Sequence, residues 1–349
     1  KKSYSPPELF LFAILYPFSI VYGLVVAARI HLYTLGVLKS LHPGMKVVSI
    51  GNITTGGTGK TPFVSELAQY LSMIPGNNVA VISRGYGKID PDAITVVKDN
   101  NMILVESYKI AGDEPYMLAQ FLKNVTIITG SKRVAAAKLA INKYHCNILI
   151  LDDGFQHLKI KRDYNIVLID AENQFGNNKL LPLGPLREPL KSISRADAII
   201  YVDKNKYLKN IPENNFINKL NKPVFIAQFE AEGFINIKDN SFIKDINDTS
   251  IIAISGIAQP ESFYKILETK QLTPVKTISF TDHKDYSNED IDLIIKNIND
   301  LKSDALVTTQ KDAVKLLSYI NRFDCQVYAI KMKMQIDIKK ILEKINFYE

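Results

Sequence analysis

The segment that most constrains the fold of this chain is VSIGNITTGGTGKTPFV, which runs from Val48 to Val64. It begins within a short apolar, β-branched run at residues 46–50, which is typical of a strand. A glycine-rich turn follows, and after Lys60 the apolar residues recur at the three- and four-residue spacing of a helix. A strand that enters a helix through a turn ending in Gly-Lys-Thr predicts a phosphate-binding loop of the P-loop NTPase type.

The residues of this turn are those that a cradle for nucleotide phosphates needs. Glycine lets backbone N–H groups converge on phosphate oxygens without clashes from Cβ atoms, and the helix N-terminus adds positive partial charge. Lys60 is expected to contact the outer phosphates, and the Thr61 hydroxyl to bind Mg²⁺. The general pattern has glycine where this chain has Thr54, so a plain glycine-rich turn is the alternative. The predicted nucleotide-binding residues are Thr55, Gly56, Gly57, Thr58, Gly59, Lys60 and Thr61.

Two pairs of acidic residues stand where a P-loop enzyme can use them. Asp152 and Asp153 end the apolar run NILILDD, and a carboxylate at the end of such a strand holds Mg²⁺ directly or through water. Asp113 and Glu114 lie in the small-residue turn Ala-Gly-Asp-Glu-Pro. Either acid of this second pair can accept the proton of an attacking hydroxyl while the other faces the metal. The alternatives are a solvated turn after the strand for the first pair and a helix N-cap for Asp113.

Other candidate side chains are less well defined by the sequence. His283 is one of only five histidines and is flanked by Asp282 and Asp285, and closure of a second domain would bring it to the nucleotide. An exposed loop histidine is the alternative interpretation. Four cations and one tyrosine near predicted strand ends or loops are candidates for phosphate or sugar contacts, or else ordinary surface residues: Arg84, Tyr86, Lys132, Arg133 and Arg187.

The N-terminal region stands apart because the run from Leu9 to Ala28 contains no charged residue. A helix of about twenty apolar residues is long enough to cross a bilayer. Lys1 and Lys2 precede the run, and Arg29 follows it. A bent helix in the membrane interface, a cleaved signal peptide and a buried core helix are the alternatives. We expect membrane attachment, and the sequence does not distinguish a spanning helix from one that lies on the surface.

The rest of the chain shows the alternation of a layered α/β protein. Its 349 residues are 46% hydrophobic and 23% charged, which is typical of a globular protein with room for two domains. Apolar β-branched runs alternate with helical segments, which predicts a parallel sheet covered on both faces. The proline-rich loop at 180–190 is a candidate boundary. We therefore expect a membrane-associated helical segment at 1–40, a P-loop domain at 41–185 and a second, smaller α/β domain at 186–349.

Charge and motif content narrow the range of partners. The net charge of +7 is compatible with anionic partners such as phosphates or a lipid surface. The sequence has no RNA-binding signature, no zinc-type Cys/His spacing and no long basic tract. We therefore expect no nucleic-acid partner, and nothing in the sequence implies an obligatory protein partner.

Taken in order along the chain, these motifs resemble the tetraacyldisaccharide 4′-kinase family, the lipid A 4′-kinases of Gram-negative bacteria. The resemblance extends from the apolar N-terminus into the second domain. The family also has the GGTGKTP form of the loop, so Thr54 departs from the general pattern and not from the family. The motifs that carry the resemblance are SIGN at 49–52, GGTGKTP at 56–62, SRGYG at 83–87, GDEP at 112–115, LDDGFQH at 151–157, LLPLGPLREP at 180–189 and FTDHKDY at 280–286.

The resemblance implies a membrane-associated P-loop kinase at the cytoplasmic face of the bacterial inner membrane. Its expected substrates are ATP, with Mg²⁺, and tetraacyldisaccharide 1-phosphate, whose 4′-hydroxyl would take the γ-phosphate to give lipid IVA. The resemblance also implies that Asp113 is the catalytic base, that His283 is its partner, and that Lys60 holds the phosphates. The residues that match metal positions are Thr61, Asp152, Asp153 and Glu114, and those that match positions near the phosphates or the acceptor are Tyr86, Arg133, Gln156 and Arg187.

Two other classes of protein fit parts of the sequence. A membrane-tethered NTPase switch would use the same loop with a positioned water in place of an acceptor hydroxyl. ATP hydrolysis that is indifferent to any lipid disaccharide would favour this switch. A binding module that holds nucleotide without chemistry needs no candidate base, and the set Asp113, Asp152, Asp153 and His283 argues against it.

Overall fold

The computed structural model describes residues 6–204, 208, 210–247, 249–257, 259–282 and 284–348. Its strands form one continuous 13-stranded sheet. In chain order they are β1 (Lys46–Gly51), β2 (Val79–Ser83), β3 (Thr95–Lys98), β4 (Val125–Thr129), β5 (Ile148–Leu151), β6 (Tyr164–Asp170), β7 (Ala198–Asp203), β8 (Val224–Asn236), β9 (Phe242–Ile243), β10 (Ile251–Ser255), β11 (Lys276–Ser279), β12 (Ala305–Thr309) and β13 (Gln326–Gln335).

The helices of the described residues cover the sheet, apart from the first one. They are α1 (Pro6–Thr34), α2 (Lys60–Ser72), α3 (Tyr108–Ala111), α4 (Asp113–Phe121), α5 (Arg133–Tyr144), α6 (Asn215–Lys219), α7 (Pro260–Thr269), α8 (Asn288–Leu301), α9 (Gln310–Leu316) and α10 (Ile338–Lys344). Two 3₁₀ segments occur at Leu190–Arg195 and Leu317–Arg322.

The strands of the N-terminal half run parallel in the order β4-β2-β5-β1-β6-β7-β8, with β3 antiparallel at the outer edge of β4. Strand β1 lies at the centre of this arrangement, and its Ser49 pairs with Leu151 of β5 on one side and Asn165 of β6 on the other. Because parallel strands end at the same edge, the turns after β1, β2 and β5 meet there, as ligand sites in α/β sheets require.

Between the two halves of the sheet the strand direction reverses at β8 and β13, which pair antiparallel. Beyond that pair, β13, β12, β10 and β11 run parallel to one another. The hydrogen bonding therefore continues without a break across the expected boundary at residue 185. The division into segments 1–40, 41–185 and 186–349 stays a prediction, since a shared sheet does not by itself fix where one domain ends.

Both faces of the sheet are buried, which confirms the predicted α/β class. Val48 and Ile50 of β1 pack into the cluster that also holds the apolar faces of α2, α4 and α10. Val47, one residue away, points to the opposite cluster with α5. This alternation is the two-residue period of a strand with a hydrophobic layer on each side.

Helix α1 lies against the body of the protein at few points. From Phe10 to Thr34 it is long and apolar enough to cross a membrane, with a mean hydropathy of 2.2, and only 6% of its most apolar window is buried. Ser19 Oγ donates to Leu180 O at 2.9 Å, and Tyr22 OH donates to Arg187 O at 2.9 Å. The helix is thus attached to the 180–187 loop, while most of its apolar surface is exposed.

Candidate active site

The loop between β1 and α2 forms the base of the candidate site. Gly56 and Gly59 adopt left-handed backbone conformations, with φ of 98° and 79°, and Gly59 is the N-cap of α2. A Cβ atom on Gly56 or Gly57 would meet no atom within 4 Å, so these glycines border open space. Asn52 Nδ2 donates to Thr58 Oγ1 at 2.9 Å and holds the two ends of the turn together. Such a turn offers backbone N–H groups to an anion without obstruction by side chains.

The 182–187 segment supports this loop from outside. The Thr55 amide donates to Pro185 O at 2.8 Å, and the Arg187 amide donates to Ile53 O at 2.7 Å. Gln156 adds a third brace, because its Nε2 donates to Asn52 O at 2.9 Å. The proline-rich loop, expected as a boundary and as the segment that carries Arg187, therefore also helps to shape the phosphate-binding turn.

The acidic pair follows β5 directly, next to β1. Asp152 is 3% exposed, and its Oδ2 accepts a hydrogen bond from the Ser83 hydroxyl at 3.0 Å. Burial, together with the nearby carboxylates of Glu114 and Asp153, raises the pKa of Asp152 to about 6. A buried carboxylate among other carboxylates is stabilised by a cation, so this side chain is suited to a metal or to a lysine.

Asp153 sits between two cations. Lys60 Nζ lies 3.4 Å from its Oδ1, and Arg187 Nη1 lies 3.0 Å from its Oδ2. Burial opposes ionisation, but Lys60 and Arg187 hold the pKa of Asp153 below its usual value. Arg133, a buried residue at the start of α5, also donates to the backbone carbonyl of Asp153 at 3.0 Å. The structure thus brings Lys60, Arg133 and Arg187 to a single aspartate.

The predicted metal-binding residues meet in pairs. Thr61 Oγ1 donates to Glu114 Oε2 at 2.9 Å, which joins the first turns of α2 and α4. Glu114 lies close enough to Asp152 to raise the pKa of that aspartate, and Lys60 lies close enough to both aspartates to favour their charged forms. Among the residues that the structure describes, no three His, Cys, Asp or Glu side chains converge closely enough to hold a metal ion by themselves. Magnesium sites commonly use one or two carboxylates and complete their shell with water and phosphate oxygens, so the residues present fit that ion.

Asp113 is the first residue of α4 and is 9% exposed. Its Oδ2 lies 3.1 Å from Nζ of Lys315, a residue of α9. A Cβ atom on Gly112 would lie 2.8 Å from the carbonyl oxygen of Tyr86, so the turn that carries Tyr86 packs against the residue before Asp113. The Tyr86 side chain itself is 75% exposed. His283, the expected partner of Asp113, lies outside the described residues.

A wide basic cleft opens beside the acidic pair. Its volume is about 980 Å³, and among the described residues that line it Asp153 is the one acidic side chain. Of the predicted acceptor-site residues, Arg133, Gln156 and Arg187 line this cleft, whereas Tyr86 does not. The cleft is lined by Tyr22, Arg29, Arg84, Ser131, Lys132, Arg133, Val134, Ala135, Lys138, Asp153, Gln156, His157, Lys159, Leu181 and Arg187. Seven of these side chains are Lys or Arg, so the cleft is suited to an anionic ligand.

Three residues that sequence reasoning gave no role belong to this region. His157 lines the cleft, and burial and the neighbouring cation Arg133 lower its pKa to about 4, so it is neutral at pH 7. Lys204 Nζ donates to Asp170 Oδ2 at 2.7 Å and to the carbonyl of Gly57 in the phosphate loop. The third is Lys315. The motif LDDGFQH gave a signal for His157, but no local pattern marks either lysine.

The central parallel sheet, the glycine-rich turn with Lys60 and Thr61, and the buried acidic residue after the adjacent strand define a P-loop nucleotide-binding enzyme. The sequence profile of one family, described as Tetraacyldisaccharide-1-P 4′-kinase, matches residues 11–346. The chain belongs to this family, and it is a kinase.

Individual relatives agree with the family assignment. The chain is 36% identical over 350 residues to a tetraacyldisaccharide 4′-kinase of Halothermothrix orenii, covering 93% of this chain and 90% of the relative. It is 37% identical over 314 residues to the enzyme of that name from Desulfotalea psychrophila, covering 88% and 89%. Among solved structures it resembles LpxK from Aquifex aeolicus in complex with ATP, with a TM-score of 0.81, 32% identity and coverage of 97% of this chain and 99% of that one.

Proposed function

We propose that this chain transfers the γ-phosphate of ATP to the 4′-hydroxyl of tetraacyldisaccharide 1-phosphate, giving lipid IVA. The observation that carries the proposal is the contact between Thr61 and Glu114, which joins the phosphate loop to the helix that begins at Asp113, while Asp153 joins the same loop to the basic cleft. Family membership supports the reaction type, and the ATP complex of the Aquifex relative supports the donor.

The nucleotide end of the site would be held by the loop. The Cβ positions of Gly56 and Gly57 border open space, so phosphate oxygens could approach the loop there and would bind its backbone amides. Lys60 would exchange its contact with Asp153 for the outer phosphates, which carry more negative charge than a single carboxylate. Thr55, Thr58 and Gly59 would shape the turn, since they belong to its hydrogen-bonded framework and helix cap.

The acidic side of the site would hold Mg²⁺ through the Thr61 hydroxyl and the carboxylates of Glu114, Asp152 and Asp153. When bound, Mg²⁺ neutralises charge on the phosphates and so makes the γ-phosphorus easier to attack. Thr61 and Glu114 already contact each other, so the two residues can turn toward one ligand without moving their helices. The pKa of Asp152 is raised because burial and neighbouring carboxylates disfavour its charged form, and a bound cation would stabilise that form.

The acceptor end would be the basic cleft. An acylated disaccharide that carries a phosphate is anionic, and the described residues that line the cleft include seven basic side chains and one acidic side chain. Arg133, Gln156 and Arg187 would contact the sugar or its phosphate, and Tyr86 would approach from the turn beside Gly112. Two residues of α1, Tyr22 and Arg29, also line the cleft, so the acceptor would lie between the catalytic loops and the apolar helix.

Phosphoryl transfer would then proceed in line. The 4′-oxygen forms a bond to the γ-phosphorus as the bond from that phosphorus to the β–γ bridging oxygen breaks, and ADP leaves with the bridging oxygen. Asp113 accepts the proton of the 4′-hydroxyl, with help from His283. The role of His283 rests on the sequence resemblance alone.

Attachment to the cytoplasmic face of the inner membrane follows from the acceptor's chemistry. Extracting acyl chains from a bilayer costs about 0.8 kcal/mol per CH₂ group, so the enzyme has to reach its acceptor at the membrane. The exposed apolar surface of α1, which includes Phe10, Phe18 and Leu24, provides the attachment. ATP is available on the cytoplasmic side, and the net charge of +7 favours an anionic lipid surface.

Transfer of label from γ-³²P-ATP tests the proposal. The purified chain is incubated with Mg²⁺, detergent and tetraacyldisaccharide 1-phosphate, and label is measured in lipid and in inorganic phosphate. We expect the label in a bis-phosphorylated lipid, and none in an acceptor whose 4′-hydroxyl is replaced by hydrogen. Label in inorganic phosphate alone, at a rate independent of lipid, would instead identify an NTPase switch.

A further inference from the structure

Helix α9 buries a lysine at the edge of the candidate site. Lys315 is 1% exposed and is one of the largest fully buried side chains among the described residues. Its Nζ lies 3.1 Å from Asp113 Oδ2 and donates to the backbone carbonyl of Lys284 at 2.9 Å. A buried ammonium is strongly destabilising unless it is paired and hydrogen-bonded, so these contacts account for its presence in the core.

The two contacts of Lys315 join parts of the chain that are far apart in sequence. Asp113 begins α4 in the N-terminal half of the sheet, and Lys284 lies in the segment that follows β11. A second contact links the same regions, because Tyr108 OH donates to Asp285 Oδ1 at 2.7 Å. These two contacts join α3 and the start of α4 to the C-terminal half of the sheet, and of the two, the Lys315 contact is made by the Asp113 carboxylate.

The geometry of the ion pair restricts the carboxylate rather than the helix. A charge-assisted hydrogen bond to Oδ2 resists rotation of the Asp113 carboxylate, and it therefore sets the direction in which the other oxygen points. A general base has to lie within hydrogen-bond reach of the proton that it takes, with the correct orientation, and small displacements reduce the rate steeply. A lysine that only stabilised the helix would have no need to bind this particular oxygen.

The chain contains such a purely structural lysine for comparison. Lys98 is also buried, and its Nζ donates to the carbonyls of Ala119 and Leu122 at the C-terminal end of the same helix, α4. Its contacts neutralise the carbonyl end of the helix and involve no side chain of the candidate site. Lys98 and Lys315 thus hold opposite ends of α4, and only Lys315 does so through Asp113.

We propose that Lys315 is a positioning residue for phosphoryl transfer, which acts by fixing the orientation of the Asp113 carboxylate. The proposal rests on the proposed role of Asp113 as the base. Lys315→Met keeps the length of the side chain and removes the ammonium, so it should lower kcat about 10- to 100-fold. The KM values for ATP and for the lipid acceptor should stay within about threefold, since Lys315 contacts neither predicted binding surface.

The experiment compares kcat, both KM values and Tm for the full chain in detergent and four variants: Lys315→Met, Lys315→Arg, Lys98→Met and Asp113→Asn. Lys315→Arg retains a cation and should recover part of kcat. Lys98→Met should lower Tm as Lys315→Met does, while its kcat stays within about twofold of wild type. In the Asp113→Asn background, adding Lys315→Met should lower kcat no further, because a residue that acts through Asp113 has nothing left to position.

The outcomes separate failure of this inference from failure of the proposed function. Full turnover by Asp113→Asn would overturn the base assignment and the positioning role with it. A large loss in Asp113→Asn combined with normal kcat in Lys315→Met would overturn only the role of Lys315. So would losses that multiply in the double variant, or an equal fall of kcat in Lys98→Met, because either result would indicate a general effect on stability.

Discussion

Two glycines near the phosphate loop should respond in opposite ways to the same substitution. Gly51 ends β1, and a Cβ atom there would lie 2.6 Å from Cβ and 2.8 Å from the backbone nitrogen of Phe155. Ordinary carbon contacts are about 3.5–4.0 Å, so Gly51→Ala must push the segment after the acidic pair outward by most of an ångström. Overpacking of this kind costs about 1–3 kcal/mol. Gly57→Ala, by contrast, places its Cβ in open space.

Thermal unfolding and nucleotide binding distinguish the two variants. An unfolding entropy of about 2.1 cal/mol/K per residue means that 1–3 kcal/mol lowers Tm by about 1–4 °C in a chain of this size. We expect that fall for Gly51→Ala, together with reduced kcat because Asp153 moves with the displaced segment. Gly57→Ala should leave Tm unchanged or slightly raised, since alanine restricts the unfolded chain. Its Kd for ATP, measured by calorimetry, should rise because the added methyl group borders the phosphate-binding space.

Either of two results would refute this reasoning. If Gly51→Ala kept the wild-type Tm and kcat, then the close approach of β1 to Phe155 would not constrain the site. If Gly57→Ala bound ATP with wild-type affinity, then the open space beside this loop would not be the phosphate site. Gly36→Ala supplies a control outside the site, at a left-handed position with no atom near its Cβ, and should reduce only stability.

Three further predictions concern the metal, an acid-sensitive histidine and α1. Thr61→Val removes the hydroxyl that contacts Glu114, so the Mg²⁺ concentration for half-maximal activity should rise at least about tenfold in a magnesium titration. Burial lowers the pKa of His157 from 6.5 to about 4, so the folded state is progressively destabilised as pH falls through that window. This pH dependence amounts to at most about 3 kcal/mol in the free energy of unfolding. His157→Gln should remove it, which Tm measured between pH 7 and pH 4.5 will show. Arg29 donates to Gln156 O at 3.1 Å, so Arg29→Met should raise KM for the lipid acceptor several-fold and leave KM for ATP unchanged.

The part of the fold that local pattern specifies could be predicted from the sequence. The β1–loop–α2 unit was recognisable because a strand period changes to a helix period across a glycine-rich turn. The run ending in Asp152 was recognisable because a fully buried strand has an uninterrupted apolar sequence. The family resemblance, confirmed by the comparisons, joined these units into one enzyme.

The remaining features depend on contacts between distant parts of the chain. Strand β8 continues past the apolar run that ends at Phe229 as far as Asn236 and pairs antiparallel with β13, so the two halves share one sheet. The sequence of β8 does not predict this pairing, because Glu230 and Gly233 interrupt the apolar pattern of the strand. The same pairing places α9 against α4, so the contact between Lys315 and Asp113 depends on a long-range arrangement that no local pattern indicates.

The central claim is that Asp113 accepts the proton of the acceptor hydroxyl. The most direct measurement is the single-turnover rate of phosphoryl transfer with saturating ATP, Mg²⁺ and tetraacyldisaccharide 1-phosphate, for wild type and Asp113→Asn, together with Kd for ATP. Loss of a general base lowers the rate about 10²- to 10⁴-fold, and we predict that loss with Kd for ATP essentially unchanged. A rate within a few-fold of wild type would contradict the claim.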